Sequence, residues 1–289
     1  MVDFTIVTPS FRQLEQLACC IASIADQEDV SVEHIVQDGG TEGFGDFAKR
    51  MAERWPDRPG YQRVMVSEKD AGMYDAINQG LAKARGSICA YLNCDEQYLP
   101  GVLWKVLKYT EADSEHDLWV GDVIVVDPAG MPRCQRKVIP PTLRHTWTCH
   151  LGAFTAATFF RRSLMDRRLF FNSAYRAAAD AEWFVRILGS GCRPQRLGFV
   201  CASFMEGKEN LGLSRVAQEE RSRLNQTAPR WMRMLSWAWV LEHRIRRWTG
   251  GCHHRSDVTY SLFFGEAKHR TPRVARHLRT TWPGRLWQK

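Results

Sequence analysis

No stretch of about 18 uninterrupted apolar residues, the least that a membrane-spanning helix needs, occurs in the 289 residues, so no segment is expected to cross a membrane. Met1-Val2-Asp3-Phe4 holds no basic segment, and the apolar run that follows stops at Thr8-Pro9, which argues against a secretory signal. Paired Cys-X-X-Cys spacing is also missing. The nine cysteines are scattered, several of them in apolar runs, and read as reduced thiols of a cytoplasmic protein. The chain lacks a glycine-rich, Lys- or Arg-bearing phosphate loop near its first β-like run, which counts against a nucleotidyltransferase. Acidic residues become scarce beyond position 220. Residues 221–289 hold 15 Lys+Arg against 3 Asp+Glu, a balance of +12, so residues 1–220 carry −4 of the net +8.

What is present is an alternation of short β-rich runs with helical patterns: Phe4-Thr5-Ile6-Val7-Thr8, a helix, His34-Ile35-Val36-Gln37, a second helix, then Arg63-Val64-Met65-Val66. Leu14, Leu17, Ala18, Ile21, Ile24 and Ala25 share one helical face, which is expected to cover a sheet. This succession predicts an α/β fold with a mostly parallel sheet flanked by helices. Ligands of such sheets sit beyond the carboxyl ends of the strands. Those ends read Thr8-Pro9-Ser10, Gln37-Asp38-Gly39-Gly40-Thr41, Glu68-Lys69-Asp70-Ala71-Gly72 and Asn93-Cys94-Asp95.

The run from Ile88 to Leu92 stops abruptly at Asn93, Asp95 and Glu96, whose hard oxygens suit Mg2+ or Mn2+, with a substrate diphosphate completing the shell. Read alone, Asn93 and Asp95 would equally serve to turn the chain before the helix announced by Pro100. His150, in Cys149-His150-Leu151-Gly152, could bind a metal or substrate, but a lone histidine is more often structural.

In order, Ile6-Val7-Thr8-Pro9-Ser10, Glu33 to Thr41, Ser67 to Gly80, Tyr91 to Glu96, Thr158 to Leu164, Ala179-Asp180-Ala181-Glu182-Trp183 and Asn210-Leu211-Gly212-Leu213-Ser214 resemble the family 2 glycosyltransferases of the GT-A, Rossmann-like nucleotide-sugar-binding fold, bacterial polysaccharide-assembly type. The resemblance covers roughly the first 215 residues and implies transfer of a sugar, with inversion, from a nucleotide sugar to a hydroxyl. By that resemblance Asp38, followed by Gly39, reads the nucleobase, with Thr8, Pro9 and Ser10 as the neighbouring wall. Asp70 contacts the nucleoside, and Asn78 sits near it. Asp95 holds the last position of the metal-binding Asp-X-Asp motif, Asn93 takes the first and Glu96 lies beside it, which implies a divalent cation, Mn2+ or Mg2+.

Asp180 matches the position of the catalytic base, although Ala179 stands where the family often has Glu. Glu182 is the second choice. Arg161, Arg162, Arg186 and Lys208 could hold the diphosphate, and residues 206–214 read as a loop that closes over the donor. A catalytically degenerate nucleotide-sugar binder stays open as an alternative, because Asn93 and Ala179 both depart from the pattern.

Residues 1–220 therefore read as the catalytic domain and 221–289 as a helical, basic extension. Six of the eleven tryptophans lie there: Trp231, Trp237, Trp239, Trp248, Trp282 and Trp287. Trp231, Met234, Leu235, Ala238, Leu241, Ile245 and Trp248 fall on one helical face, with Arg230, Arg233, Arg244 and Arg247 largely to the other side. That face is expected to meet an anionic membrane, a second subunit or the chain's own catalytic domain. No nucleic-acid recognition signature is present. A glycan or lipid-linked glycan at the inner face of the plasma membrane is the acceptor that the resemblance implies.

Overall fold

The alternation of β-rich and amphipathic segments folds as a βα succession in the computed structural model, which describes residues 2–207, 212, 214–265 and 268–282. In chain order the elements are β1 (Phe4–Ser10), α1 (Leu14–Ala25), β2 (Val32–Asp38), α2 (Phe44–Arg54), β3 (Tyr61–Ser67), α3 (Met73–Leu81) and β4 (Ile88–Tyr91). There follow β5 (Gln97–Tyr98), α4 (Val102–Ala112), β6 (Leu118–Val126), β7 (Pro132–Arg136), α5 (Leu143–Thr148), β8 (Thr158–Arg161), α6 (Ser163–Asp166), α7 (Ala179–Gly189) and β9 (Pro194–Met205). The C-terminal part adds α8 (Arg215–Gln226), α9 (Arg230–Met234), α10 (Ser236–Thr249), β10 (Ser256–Leu262) and β11 (Thr271–Leu278).

Strands β3, β2, β1 and β4 lie side by side and parallel, each joined to the next in sequence by a helix. The other half of the sheet is mixed: β8 runs antiparallel to β4 and β6, β7 antiparallel to β6, β5 antiparallel to β9, and β9 parallel to β6. The expected parallel sheet therefore covers one half of the structure. Connection length explains the change, because the tight turn at Asp127–Gly130 between β6 and β7 can only reverse the chain, whereas a helix can carry it back to the starting edge. Gly80 lets α3 lie against β1, since a Cβ there would come within 2.5 Å of a Val7 methyl.

Helix α1 has the expected apolar face, but its opposite side is also covered, because the small residues Cys19 and Ala22 pack on Phe263 from the C-terminal part. Arg270 reaches the same region, with Asp26 accepting at 2.7 Å from its Nη2, and it donates further to the main chain of Ser23, Tyr98 and Ser261. Val258, Tyr260, Leu262, Ala275 and Leu278 join Phe4, Ile6 and Trp119 in one core. The helical reading of residues 221–289 thus holds through α10 and gives way to the β10–β11 hairpin, which is stitched into the first half of the chain.

Helix α10 rests on the segment between β7 and α5 by its basic side. Arg246 Nη2 donates to Pro140 O at 2.9 Å, and Arg247 Nη1 donates to Lys137 O at 2.8 Å. Its apolar side, with Trp237 66% and Trp248 73% exposed beside Leu241 and Ile245, faces outward next to Trp231 and Met234 of the preceding turns. Trp287 lies outside the described residues. No described helix is long and apolar enough to cross a membrane.

Candidate active site

The chain moves outward from β1 to β2 to β3, then crosses back to place β4 on the other flank of β1. In open α/β sheets the crevice that takes a ligand lies outside the strand ends at such a switch. Register puts Ser10 beside Asp38 and Asp38 beside Ser67, with Val7 beside Tyr91, so the sequence-nominated strand ends do share one edge.

Asp38 is fully buried and organises the β2 turn. Its Oδ2 accepts from Gly40 N at 3.0 Å, Thr41 N at 2.7 Å and Ser67 Oγ at 2.7 Å, and Oδ1 accepts from Thr41 Oγ1 at 2.7 Å. Gly39 brings three strand ends together, because a Cβ there would stand 3.0 Å from Asp70 Oδ2 and 3.1 Å from the Phe11 ring. Asp70 accepts from Gly72 N at 2.8 Å, which shapes the loop after β3.

Thr8 and Asn78 have their polar groups engaged elsewhere. Thr8 Oγ1 is 3.0 Å from His34 Nε2, and His34 Nδ1 is 3.1 Å from Tyr61 OH, which accepts from Arg63 Nη1 at 3.2 Å. Ser10, two residues on and on the same face at the last position of β1, is also buried, but its Oγ has no hydrogen-bond partner among the described residues. Asn78, expected beside the nucleoside, is bonded through both amide groups to the main chain of Phe171.

At the end of β4, Glu96 is buried and accepts from Asn93 N at 3.0 Å through Oε2. Asn93 Oδ1 and Glu96 Oε1 are buried with no hydrogen-bond partner among the described residues. Burial raises the pKa of Asp95, and burial followed by the neighbouring Asp95 charge raises that of Glu96 well above the usual carboxylate range. Buried oxygens without a hydrogen-bond partner, beside carboxyls that burial disfavours as anions, are what a hard divalent cation would satisfy, so this donor set fits one.

Asp180 opens α7, and its Oδ1 accepts from Ala181 N at 2.8 Å. Burial raises its pKa, partly offset by that bond and by the Arg221 charge. Tyr74, Tyr91 and Phe171 form an aromatic cluster, with the Phe171 ring stacked on Tyr74 at 5.8 Å and edge-on to Tyr91 at 5.4 Å. Sequence reasoning passed over the residue that sets this helix in place. Glu220 of α8 accepts main-chain N–H groups from Arg176 at 2.7 Å and from Ala177 and Ala178 at 2.9 Å each, capping α7 from outside. Phe11, exposed at the tip of β1 beside Gly39, was also missed; an exposed aromatic directly after Thr-Pro-Ser was its only signal.

Glu182 and Arg186 are taken up by each other. Arg186 Nε donates to Glu182 Oε1 at 2.6 Å and Nη2 to Oε2 at 3.0 Å, while Nη2 also reaches Phe170 O at 2.5 Å. Spaced four residues apart, they share a helix face that clasps the preceding loop. Arg161 pairs with Ile88, at the end of β4 opposite to Asn93, and Arg162 bonds Asp166; neither lies at the crevice. Lys208, Asn210, Leu211 and Leu213 lie outside the described residues, and Ser214 caps α8 by accepting from Ala217 N at 3.1 Å.

The fold and this strand-end site define a glycosyltransferase of the GT-A type. The chain belongs to the glycosyl transferase family 2, whose model matches residues 5–174. It is 27% identical over 209 residues to a PGL/p-HBAD biosynthesis glycosyltransferase of Mycobacterium bovis, covering 70% of this chain and 77% of that one. An uncharacterized glycosyltransferase of Mycobacterium tuberculosis is 29% identical over 203 residues, covering 69% and 74%. Among solved structures, S. aureus TarS 1–349 in complex with UDP-GlcNAc matches with a TM-score of 0.62 at 15% identity, covering 87% of this chain and 75% of that one. The mannosyltransferase PcManGT from Pyrobaculum calidifontis, in complex with GDP-Man and Mn2+, matches with a TM-score of 0.54 at 18% identity, covering 76% and 60%.

Proposed function

We propose that the protein transfers a sugar, with inversion at the anomeric carbon, from a nucleotide sugar to a hydroxyl of a growing lipid-linked bacterial surface glycan or exopolysaccharide. Residues 1–220 are the catalytic part, and within the 221–289 extension the outward side of α10 is the membrane-facing surface. The observation that carries this reading is the placement of free oxygens: Ser10 Oγ, Asn93 Oδ1 and Glu96 Oε1, all buried and unpartnered among the described residues, lie at the ends of β1 and β4, where the strand order reverses.

In this reading Asp38 and Gly39 shape the floor under the base, with Phe11 and Pro9 as its walls and Asp70 at the nucleoside. UDP is the favoured nucleotide, supported by the UDP-GlcNAc complex of TarS. Asp95, Asn93 and Glu96 would hold Mn2+ or Mg2+, and a cation bound there supplies countercharge to the departing diphosphate.

Asp180 takes the proton of the acceptor hydroxyl. The new bond joins that oxygen to the anomeric carbon, the bond from this carbon to the diphosphate oxygen breaks, and the nucleoside diphosphate leaves with the electron pair. A raised pKa suits the task, because a base of higher pKa drives the transfer harder. Water exclusion falls to Tyr74, Tyr91 and Phe171, packed behind Asp180.

The outward Trp237–Trp248 face with the +12 tail is read as a peripheral anchor on the anionic inner leaflet, where a lipid-linked acceptor would be found. The test is nucleoside diphosphate release over UDP-, GDP- and dTDP-sugars with Mn2+ or Mg2+. One donor should be turned over, with Asp95→Ala and Asp180→Asn each lowering kcat by about 10²–10⁴. Equal rates in wild type and Asp180→Asn would remove Asp180 as the base.

A further inference from the structure

Three histidines from two separate stretches of the chain meet beside the catalytic part. His145 of α5, His150 just beyond it and His243 of α10 bring their ligand nitrogens within 4.8 Å of one another. The rings of His145 and His243 are stacked, centroids 3.9 Å apart and 4° from parallel, and His150 stands edge-on to His145 at 4.4 Å and 75°. Gly152 leaves room for this, since a Cβ there would come 3.1 Å from His243 Cε1.

His145 is buried, and its Nε2 has no hydrogen-bond partner among the described residues. The main chain of His150 bonds the same ring, which leaves Nε2 as the nitrogen with an unused lone pair. His150 is exposed and opens the cluster to solvent.

We propose that His145, His150 and His243 bind a transition-metal dication, with Zn2+ the best fit, which fastens α10 to α5. Three imidazole nitrogens suit zinc and its soft neighbours and offer nothing to Mg2+ or Mn2+, which prefer oxygen. Tetrahedral zinc needs nitrogens about 3.3 Å apart, given bonds of about 2.0–2.1 Å. Parallel stacked rings aim their lone pairs side by side, so binding requires the half-exposed His243 ring to turn out of its stack on His145 and the exposed His150 to swing toward both. Arg136, Arg221, Arg246 and Arg247 surround the cluster, so hydroxide or another anion suits the fourth position. The ion would cross-link the two halves of the chain at the base of the helix whose apolar face points outward. This site shares no residue with the donor site and stands independently of it.

The experiment is a Co2+ titration of the full-length, chelator-stripped protein without nucleotide sugar, followed by displacement with Zn2+. Equimolar uptake with the strong visible absorption of a tetrahedral site, a rise in Tm and slower amide exchange across residues 236–249 are expected. The band should be lost in His243→Ala and in His150→Ala, whose exposed position leaves the fold intact. It should persist in Asp95→Ala, which separates this site from the strand-end cation site. No saturable uptake by the wild type, or uptake that survives both histidine variants, overturns the proposal.

Discussion

Asn78 and Phe171 are joined by two hydrogen bonds, Asn78 Nδ2 donating to Phe171 O at 2.8 Å and Phe171 N donating to Asn78 Oδ1 at 2.9 Å. Asn78 thereby fastens α3 to the loop that leads into α7 and Asp180. Asn78→Ala is expected to cost about 1–3 kcal/mol of stability and to lower kcat, with little change in KM for the nucleotide sugar. A variant that loses donor affinity at unchanged Tm would return Asn78 to the nucleotide pocket.

Glu220 holds the other end of that loop. In Glu220→Gln an amide replaces a carboxylate facing three main-chain donors, so its NH2 meets N–H groups rather than accepting from them. A Tm drop together with a fall in kcat is expected, because the turn that carries Asp180 shifts. Full kcat in a destabilised protein would limit Glu220 to a purely structural part.

Gly39→Ala tests the meeting of β1, β2 and β3. The added methyl would press on the Asp70 carboxylate and the Phe11 ring, both at the proposed nucleotide wall. Nucleotide-sugar KM should rise more than kcat falls, with a near-native circular dichroism spectrum. Unchanged KM would place the nucleotide elsewhere.

His34 is buried, and burial, followed by the Arg63 charge, holds its pKa well below the ordinary 6.5. Below pH 6.5 the unfolded chain takes up a proton that the folded chain refuses, so stability present above that value is lost as pH falls toward the folded pKa. One such group costs about 1.4 kcal/mol per pH unit. Denaturant titrations from pH 7 to 5 (a window of about two units) should show this slope, shallower by one proton in His34→Gln. An identical slope in the variant would assign the effect to other groups.

The outward face of α10 separates two partners. Trp237→Ser with Trp248→Ser should abolish sedimentation with vesicles containing anionic lipid and leave turnover of a water-soluble acceptor intact. If vesicle binding persists while a dimer dissociates in sedimentation velocity, the face is covered by a second copy of the chain.

Much of the fold was legible because its signals are local. A β-branched run followed by Thr-Pro-Ser, Asp-Gly-Gly or Asn-Cys-Asp marks a strand and its end within a few residues, and parallel pairing then collects those ends on one edge. Local spacing also betrays the Glu182–Arg186 pair, since residues four apart on a helix must be neighbours. What the chain could not disclose locally was the mixed half of the sheet, where pairing depends on how β6, β8 and β9 return to one another.

The sequence by itself determined the family and the βα succession from β1 to β4, and it marked candidate side chains at the strand ends, because residue type and short-range spacing suffice for these. Tertiary structure alone decided which of those side chains remain free. Thr8 and Asn78 are taken by His34 and Phe171, Ser10 and Glu96 keep unpartnered oxygens, His150 gains two imidazole neighbours, and α10 turns Trp237 and Trp248 outward. Each outcome depends on a contact between distant parts of the chain, and hydrogen-bonding capacity spent on one such contact is not available to a substrate.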